Sequence, residues 1–249
     1  MTLLYTEISK NFPGYGRSVF FAADRRITSL SGGDPPQHYK KLVDVPYLNA
    51  ALGFFGLAEF TKGANLFRMT DHLRNFVRKE SATSSLSAFA KNLAASLNSF
   101  VPTSLLRSER SGIHLAGIAP GSLPEFWFIR NVDKNGDPTL GKYETDEQYL
   151  LRYARNEGFN VKDPATLPTT GRLYRNGDIV SHVAAWEAFD DSLGSLLSMP
   201  FFSGIQSPKD YAAWIRFKMQ VLIYFHKKFE RKLLIGGTVD VIVKTEVKV

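Results

Sequence analysis

The chain has 249 residues, 44% of them hydrophobic and 22% charged, with a formal net charge of +7 and no cysteine. That length can bury a substantial core, and that composition excludes a disordered or fibrous chain. The missing cysteines exclude disulfides and thiolate metal sites and fit a cytoplasmic home, and no apolar run approaches the roughly 18 residues a membrane span needs.

Glu7 and Lys10 interrupt any signal-peptide layout at the start of the chain. The basic residues are scattered, and their densest cluster, His226-Lys-Lys-Phe-Glu-Arg-Lys232, closes a helical pattern, where cations complement the helix dipole and face water. A nucleic-acid surface is therefore not expected.

Residues 2–9 and 18–28 are rich in Val, Phe, Tyr, Ile and Thr and flank Asn11-Phe-Pro-Gly-Tyr-Gly-Arg17, which predicts a β-hairpin. Ser29 to Gln37, with Gly32-Gly33 and Pro35-Pro36, reads as a loop. Lys41 to Val45 and Asn49 to Phe54 read as two strands. After Gly56 the pattern turns helical: Phe60, Ala64, Phe67, Leu73, Phe76 and Val77 recur at three- and four-residue steps, and Leu86 to Leu97 gives a second amphipathic helix.

Strands return at Ile113 to Ile118, at Glu125 to Arg130 and near Leu140 to Glu144. Asp133, Asn135, Asp137 and Glu144 fall at positions one, three, five and twelve of a calcium-loop spacing. Position six is Pro138 rather than Gly and the flanks are strands, so this is a hairpin turn and no metal is expected. Residues 145–180 read as an inserted loop or lid, with a turn signal at Arg175-Asn-Gly-Asp178. Val183 to Leu197 and Pro208 to Phe229 are helical by period, and Gly236-Gly-Thr-Val-Asp-Val-Ile-Val243 is a closing strand. Two helical hairpins separated by strands predict an α+β chain folded as one four-layer αββα sandwich.

Several stretches carry a resemblance. Phe20-Phe-Ala-Ala-Asp24-Arg-Arg26 followed by Thr28 resembles the proteasome β-subunit signature of an apolar strand, Ala-Ala-Asp, a variable residue and Arg. Lys41-Leu42 and Gly56-Leu-Ala-Glu59 resemble that family's Lys-Ile element and its Gly-x-x-Ala-Asp junction, and Gly236-Gly-Thr-Val-Asp240 resembles its C-terminal glycine pair and strand. The chain is similar in this order of elements to the proteasome-like, HslV-containing branch of the N-terminal nucleophile hydrolases. It differs in carrying Lys232-Leu-Leu-Ile-Gly-Gly237 where the family has Asp-x-x-Ser-Gly-Gly.

The resemblance implies a threonine peptidase or amidohydrolase. Removal of Met1 would free Thr2, whose hydroxyl attacks a carbonyl while its own α-amine, with an ordinary pKa of about 7.7–8.0, serves as base. Lys41 would stabilise the nucleophile's charge, Asp24 would hold the Lys41 ammonium, Arg26 would support Asp24 or the strand end, and the Gly56 N–H would donate to the oxyanion. Lys40 is the alternative to Lys41, since adjacent strand residues face opposite ways. The implied partners are a peptide or unfolded-protein substrate, further copies of the chain in a ring or stacked assembly, and an ATPase unfoldase; no cofactor is implied. The other reading is a catalytically silent proteasome-like subunit with a scaffolding role.

Overall fold

The computed structural model describes residues 3–27, 37–120, 122–133, 137–138, 140–146, 172–177, 179–197, 199–200, 203–229 and 235–246. The expected opening hairpin is formed by β1 (Leu3–Phe12) and β2 (Gly16–Asp24). These two strands lie at the centre of a four-stranded sheet. β12 (Arg172–Gly177) pairs antiparallel with β1 on one side, and β13 (Val239–Thr245) pairs antiparallel with β2 on the other. The register sets Leu3 opposite Gly177 and Asp24 opposite Val239.

The second sheet has five strands in the order β11 (Glu144–Thr145), β10 (Glu125–Arg130), β9 (Gly112–Gly117), β6 (Ala50–Phe55) and β5 (Leu42–Val45). Two-stranded ribbons pair β3 (Arg26–Ile27) with β4 (Gln37–His38), and β7 (Glu59–Lys62) with β8 (Asn65–Arg68).

Alternation along the strands builds three apolar layers. Leu4, Ile8, Val19, Phe21 and Ala23 of the first sheet meet Leu42, Ala51, Phe55, Ala116 and Phe126 of the second. The opposite parity of the first sheet, Leu3, Tyr5, Phe20 and Ala22, packs under α4 (Ile179–Leu197) and α5 (Pro208–Phe229) through Trp186, Ile215, Met219 and Leu222. The outer parity of the second sheet, Val43, Leu52, Phe54, Leu115 and Ile129, packs under α1 (Met69–Lys79) and α2 (Leu86–Phe100) through Leu73, Phe76, Phe89 and Leu93. A short α3 (Thr103–Ser108) leads into β9. Strands buried on both faces explain why the sequence reads as unbroken apolar runs such as Val19 to Ala23. The fold is a four-layer αββα sandwich of the α+β class, as expected.

Three local readings are corrected. Residues 59–68 form a hairpin, not the first turns of a helix, which begins only at Met69. Gly63, with φ +63°, supplies the left-handed turn residue, and Phe60 and Phe67 are cross-strand partners whose rings stack 5.6 Å apart. The stretch read as a turn at 175–178 belongs mostly to β12, whose pairing extends to Gly177. The strand read over 140–144 is reduced to two residues. Most of the inserted segment expected at 145–180, namely 147–171, lies outside the described residues.

No described helix is long and apolar enough to cross a membrane. Among the described residues, no group of three or more His, Cys, Asp or Glu could hold a metal ion. His114 is buried between the sheets with Nδ1 2.9 Å from the Thr6 hydroxyl and the rings of Phe55, Phe126 and Phe128 around it.

Candidate active site

Asp24 is the last residue of β2, where the strand leaves the sheet, and its side chain has no solvent exposure. A carboxylate removed from water must have its lone pairs occupied. Oδ1 accepts from the Leu3 amide at 2.8 Å and from Lys41 Nζ at 2.8 Å, and Oδ2 accepts from the Gly236 amide at 3.1 Å. Three separate parts of the sequence, the chain start, the lysine before β5 and the C-terminal glycine pair, therefore converge on one carboxylate.

Lys41 is 1% exposed and also donates from Nζ to the Arg26 carbonyl oxygen at 2.5 Å. Burial pushes the ammonium below its ordinary value, and the adjacent Asp24 carboxylate pulls it back up. Lys40 points the other way: it is exposed, and its carbonyl accepts from the Thr70 hydroxyl. Of the two lysines, Lys41 faces Asp24.

Arg26 contributes through its backbone. Its N–H donates to the Gly236 carbonyl at 3.1 Å and its carbonyl receives Lys41, while its buried Nε has no hydrogen-bond partner among the described residues. The neighbouring Arg25 makes the side-chain ion pair, with Nε and Nη2 of its guanidinium donating to Asp240 at 2.8 and 2.5 Å. Gly236 thus ties β13 to the end of β2 with two bonds, one to the Asp24 side chain and one to the Arg26 backbone.

Gly56 follows the last residue of β6 and is exposed, with φ +81°. An added Cβ would meet the Arg110 carbonyl oxygen at 1.8 Å, so both the conformation and the contact require glycine. The direction of its amide follows from the ladder. Phe54 N–H donates to the Lys41 carbonyl at 3.2 Å, and residues two apart on a strand aim their N–H groups to the same side. Gly56 N–H accordingly points toward the Lys41 side of β6. The Phe55 carbonyl, in the same trans peptide unit, points the opposite way and accepts from the Ser111 hydroxyl at 3.3 Å.

The structure therefore brings together Asp24, Lys41 and the Arg26 backbone, with the Gly56 peptide on the neighbouring strand end; Thr2 lies outside the described residues. Sequence reasoning gave no role to Gly236 or to the Leu3 amide, although the Gly-Gly pair marked the place. It missed Ser111 altogether, because one serine ahead of an apolar strand carries no signal.

No family model matches the chain, and no curated protein matches its sequence. Among solved structures, the chain is similar to eukaryotic HslV from Trypanosoma brucei, with 16% identity, 98% of each chain covered and a TM-score of 0.45. It is also similar to Anbu from Hyphomicrobium sp. strain MC1, with 13% identity over 97% of this chain and 82% of that one and a TM-score of 0.46. The Gly-1 mutant of that Anbu has 13% identity over 97% and 81%, with a TM-score of 0.47.

Proposed function

We propose that the chain is a proteasome-like N-terminal nucleophile hydrolase, a threonine peptidase or amidohydrolase acting through Thr2 once Met1 is removed. The observation that carries this reading is the buried Lys41–Asp24 pair, in which the same carboxylate oxygen also accepts from the amide of Leu3, the residue bonded to Thr2. An ion pair this deeply buried costs more in desolvation than a surface pair, and such perturbed groups concentrate at working sites.

In the proposed reaction the Thr2 hydroxyl gives its proton to the Thr2 α-amine as Oγ bonds to the substrate carbonyl carbon. The Lys41 ammonium, held by Asp24 and the Arg26 carbonyl, favours the developing alkoxide. The Gly56 N–H donates to the carbonyl oxygen as it becomes negative, an interaction worth about 2.7–4 kcal/mol where such donors have been removed. The protonated α-amine then gives its proton to the leaving amine, and water hydrolyses the resulting ester. The substrate is a peptide or unfolded protein, and the chain, as one domain in the cytoplasm, works as a ring or stack of identical copies fed by an ATPase unfoldase.

Intact mass of the purified protein tests the first requirement, because a retained Met1 converts the Thr2 amine into an amide and removes the base. With Met1 gone, Thr2→Ala should abolish hydrolysis of small peptide amides; hydrolysis that survives this change refutes the assignment. Native mass tests the assembly.

A second reading, a catalytically silent scaffolding subunit, is favoured by one observation. Ile235, fully buried among the apolar residues under α5, stands where the resembled family has a serine able to orient the amine. On that reading the wild-type protein and Thr2→Ala are equally inert.

A further inference from the structure

Gly56 sits where its peptide could turn over. Glycine takes either sign of φ at little cost, so a coupled rotation about Phe55 ψ and Gly56 φ would exchange the N–H for a carbonyl on the Lys41 side. A carbonyl there would repel a developing oxyanion instead of stabilising it. What opposes the rotation, besides the pairing of Phe55 with Gly112 in the β6–β9 ladder, is a pair of buried hydroxyls behind the strand. Tyr143 Oη donates to Ser111 Oγ at 2.8 Å, and Ser111 Oγ donates to the Phe55 carbonyl. Ser111 is 1% exposed and Tyr143 2%.

Both ends of this relay are fixed. The Tyr143 backbone is bracketed by Asn98, which accepts from its N–H at 2.6 Å and donates to its carbonyl at 3.0 Å. The Ser111 N–H donates to Asn131 Oδ1 at 2.8 Å, and Asn131 Nδ2 in turn reaches the carbonyls of Leu106 and Glu109. Burial pushes the Tyr143 phenol up to about 12, so it keeps its proton throughout the neutral range. Rotating the peptide would strand a serine hydroxyl in a dry interior, which is unfavourable. On its other face Gly56 rests against the Arg110–Ser111 peptide, so the same segment sets both its position and its direction.

We propose that Ser111 and Tyr143 are positioning residues of the hydrolase, a hydroxyl relay that holds the Phe55–Gly56 peptide with its N–H toward the reacting carbonyl. The proposal rests on the peptidase reading above. It predicts that the relay matters for reactions that build a tetrahedral oxyanion and not for those that only use the threonine nucleophile.

Ser111→Ala and Tyr143→Phe each delete one hydroxyl from the full chain. Three measurements separate the cases: hydrolysis of blocked tripeptide aminomethylcoumarins, inhibition by a tripeptide boronate, and alkylation by a tripeptide vinyl sulfone. With the boronate, threonine Oγ bonds to boron, its proton passes to the α-amine, and the tetrahedral boronate sets an oxygen where the oxyanion would lie. With the vinyl sulfone, Oγ adds to the alkene β-carbon, the sulfone-stabilised carbanion takes the proton, and no tetrahedral oxyanion forms.

Each variant should lower kcat roughly tenfold with KM within about twofold, less than the roughly 100- to 1,000-fold loss expected for removing a donor outright. The boronate should weaken by a similar factor while alkylation is unchanged, and Ser111→Thr, which keeps the hydroxyl, should recover most of kcat. Unchanged kcat and boronate inhibition in both variants, or a parallel fall in all three measurements, overturns the proposal. A wild-type protein as inert as Thr2→Ala overturns the peptidase reading itself and the relay's role with it, and that outcome appears before any relay variant is made.

Discussion

Lys41 Nζ lies 2.8 Å from Asp24 Oδ1, and neither side chain is more than 1% exposed. Removing one partner of a buried pair leaves an uncompensated charge, at a cost of about 3–5 kcal/mol. The two deletions are not equivalent. Lys41→Met leaves Asp24 with the Leu3 and Gly236 amides, whereas Asp24→Leu leaves the ammonium without its counter-charge, held by the Arg26 carbonyl alone, and takes the acceptor from both amides. Asp24→Leu is therefore expected at the upper end of that range and Lys41→Met at the lower, by urea unfolding at pH 7. The reverse order would show that the carboxylate is not the centre of the cluster.

The same pair sets a pH dependence. Burial lowers the folded-state pKa of Lys41 below its ordinary value of 10.5, so over the window between the two values the unfolded chain binds the proton and the folded chain does not. The penalty for charging Lys41 is thus present at neutral pH and lifts as pH rises toward 10.5. Asp24→Leu removes the opposing influence of the carboxylate and widens that window. Its deficit relative to wild type should shrink between pH 7 and pH 9.5; a constant deficit refutes the account.

His72, on α1, offers a second titration. It stacks on Phe100 at 3.8 Å, has the Ser96 hydroxyl 3.1 Å from Nε2, and is pushed down to about 4 by burial, with Lys79 adding to the shift. Below its ordinary value of 6.5 the unfolded chain takes a proton that the folded chain refuses, so stability falls as pH drops from 6.5 toward 4. The urea midpoint should decline over that interval, and His72→Gln should flatten the decline.

Gly56→Ala must place a methyl group against the Arg110 carbonyl and hold an L-residue at φ +81°. Backbone strain and overlap together should cost roughly 2–5 kcal/mol. Gly63→Ala, at φ +63° but in open space, should cost only the conformational part, about 1 kcal/mol. Equal losses in thermal unfolding would deny the close contact with Arg110.

Ser85 caps α2, its hydroxyl accepting from the Ala88 amide at 3.2 Å. Ser85→Ala should cost about 1 kcal/mol, and Ser85→Asp should recover most of it, since a carboxylate accepts the same bond. Failure of the aspartate to rescue would place the loss elsewhere than in the cap.

Much of this architecture was legible because burial on both faces makes the strands unmistakable. Glu125–Arg130 and Pro208–Phe229 fall where periodicity sets them. The hairpin at 59–68 was not, and the reason is arithmetic: a spacing of seven is two helical turns, and it is also the distance between Phe60 and Phe67 across a two-residue turn. At the candidate site, alternation required one lysine of Lys40 and Lys41 to face inward but did not say which, because that depends on where β5 begins. The relay was invisible: Tyr143 reaches Ser111 from a segment 32 residues away, and nothing local to either residue records the bond.

The strand order also has a consequence for how the chain is made. Residues 42–145 contain every strand of the five-stranded sheet and both helices that cover it, so that half of the molecule can assemble from one continuous stretch. The opening hairpin must instead wait for residues 172–177 and 239–245, both of which a ribosome delivers after that stretch. Contacts of such long sequence separation form slowly. During synthesis the opening hairpin is therefore without either of its outer neighbours, and the Asp24 carboxylate lacks one of its three donors until the last strand docks and brings the Gly236 amide to it.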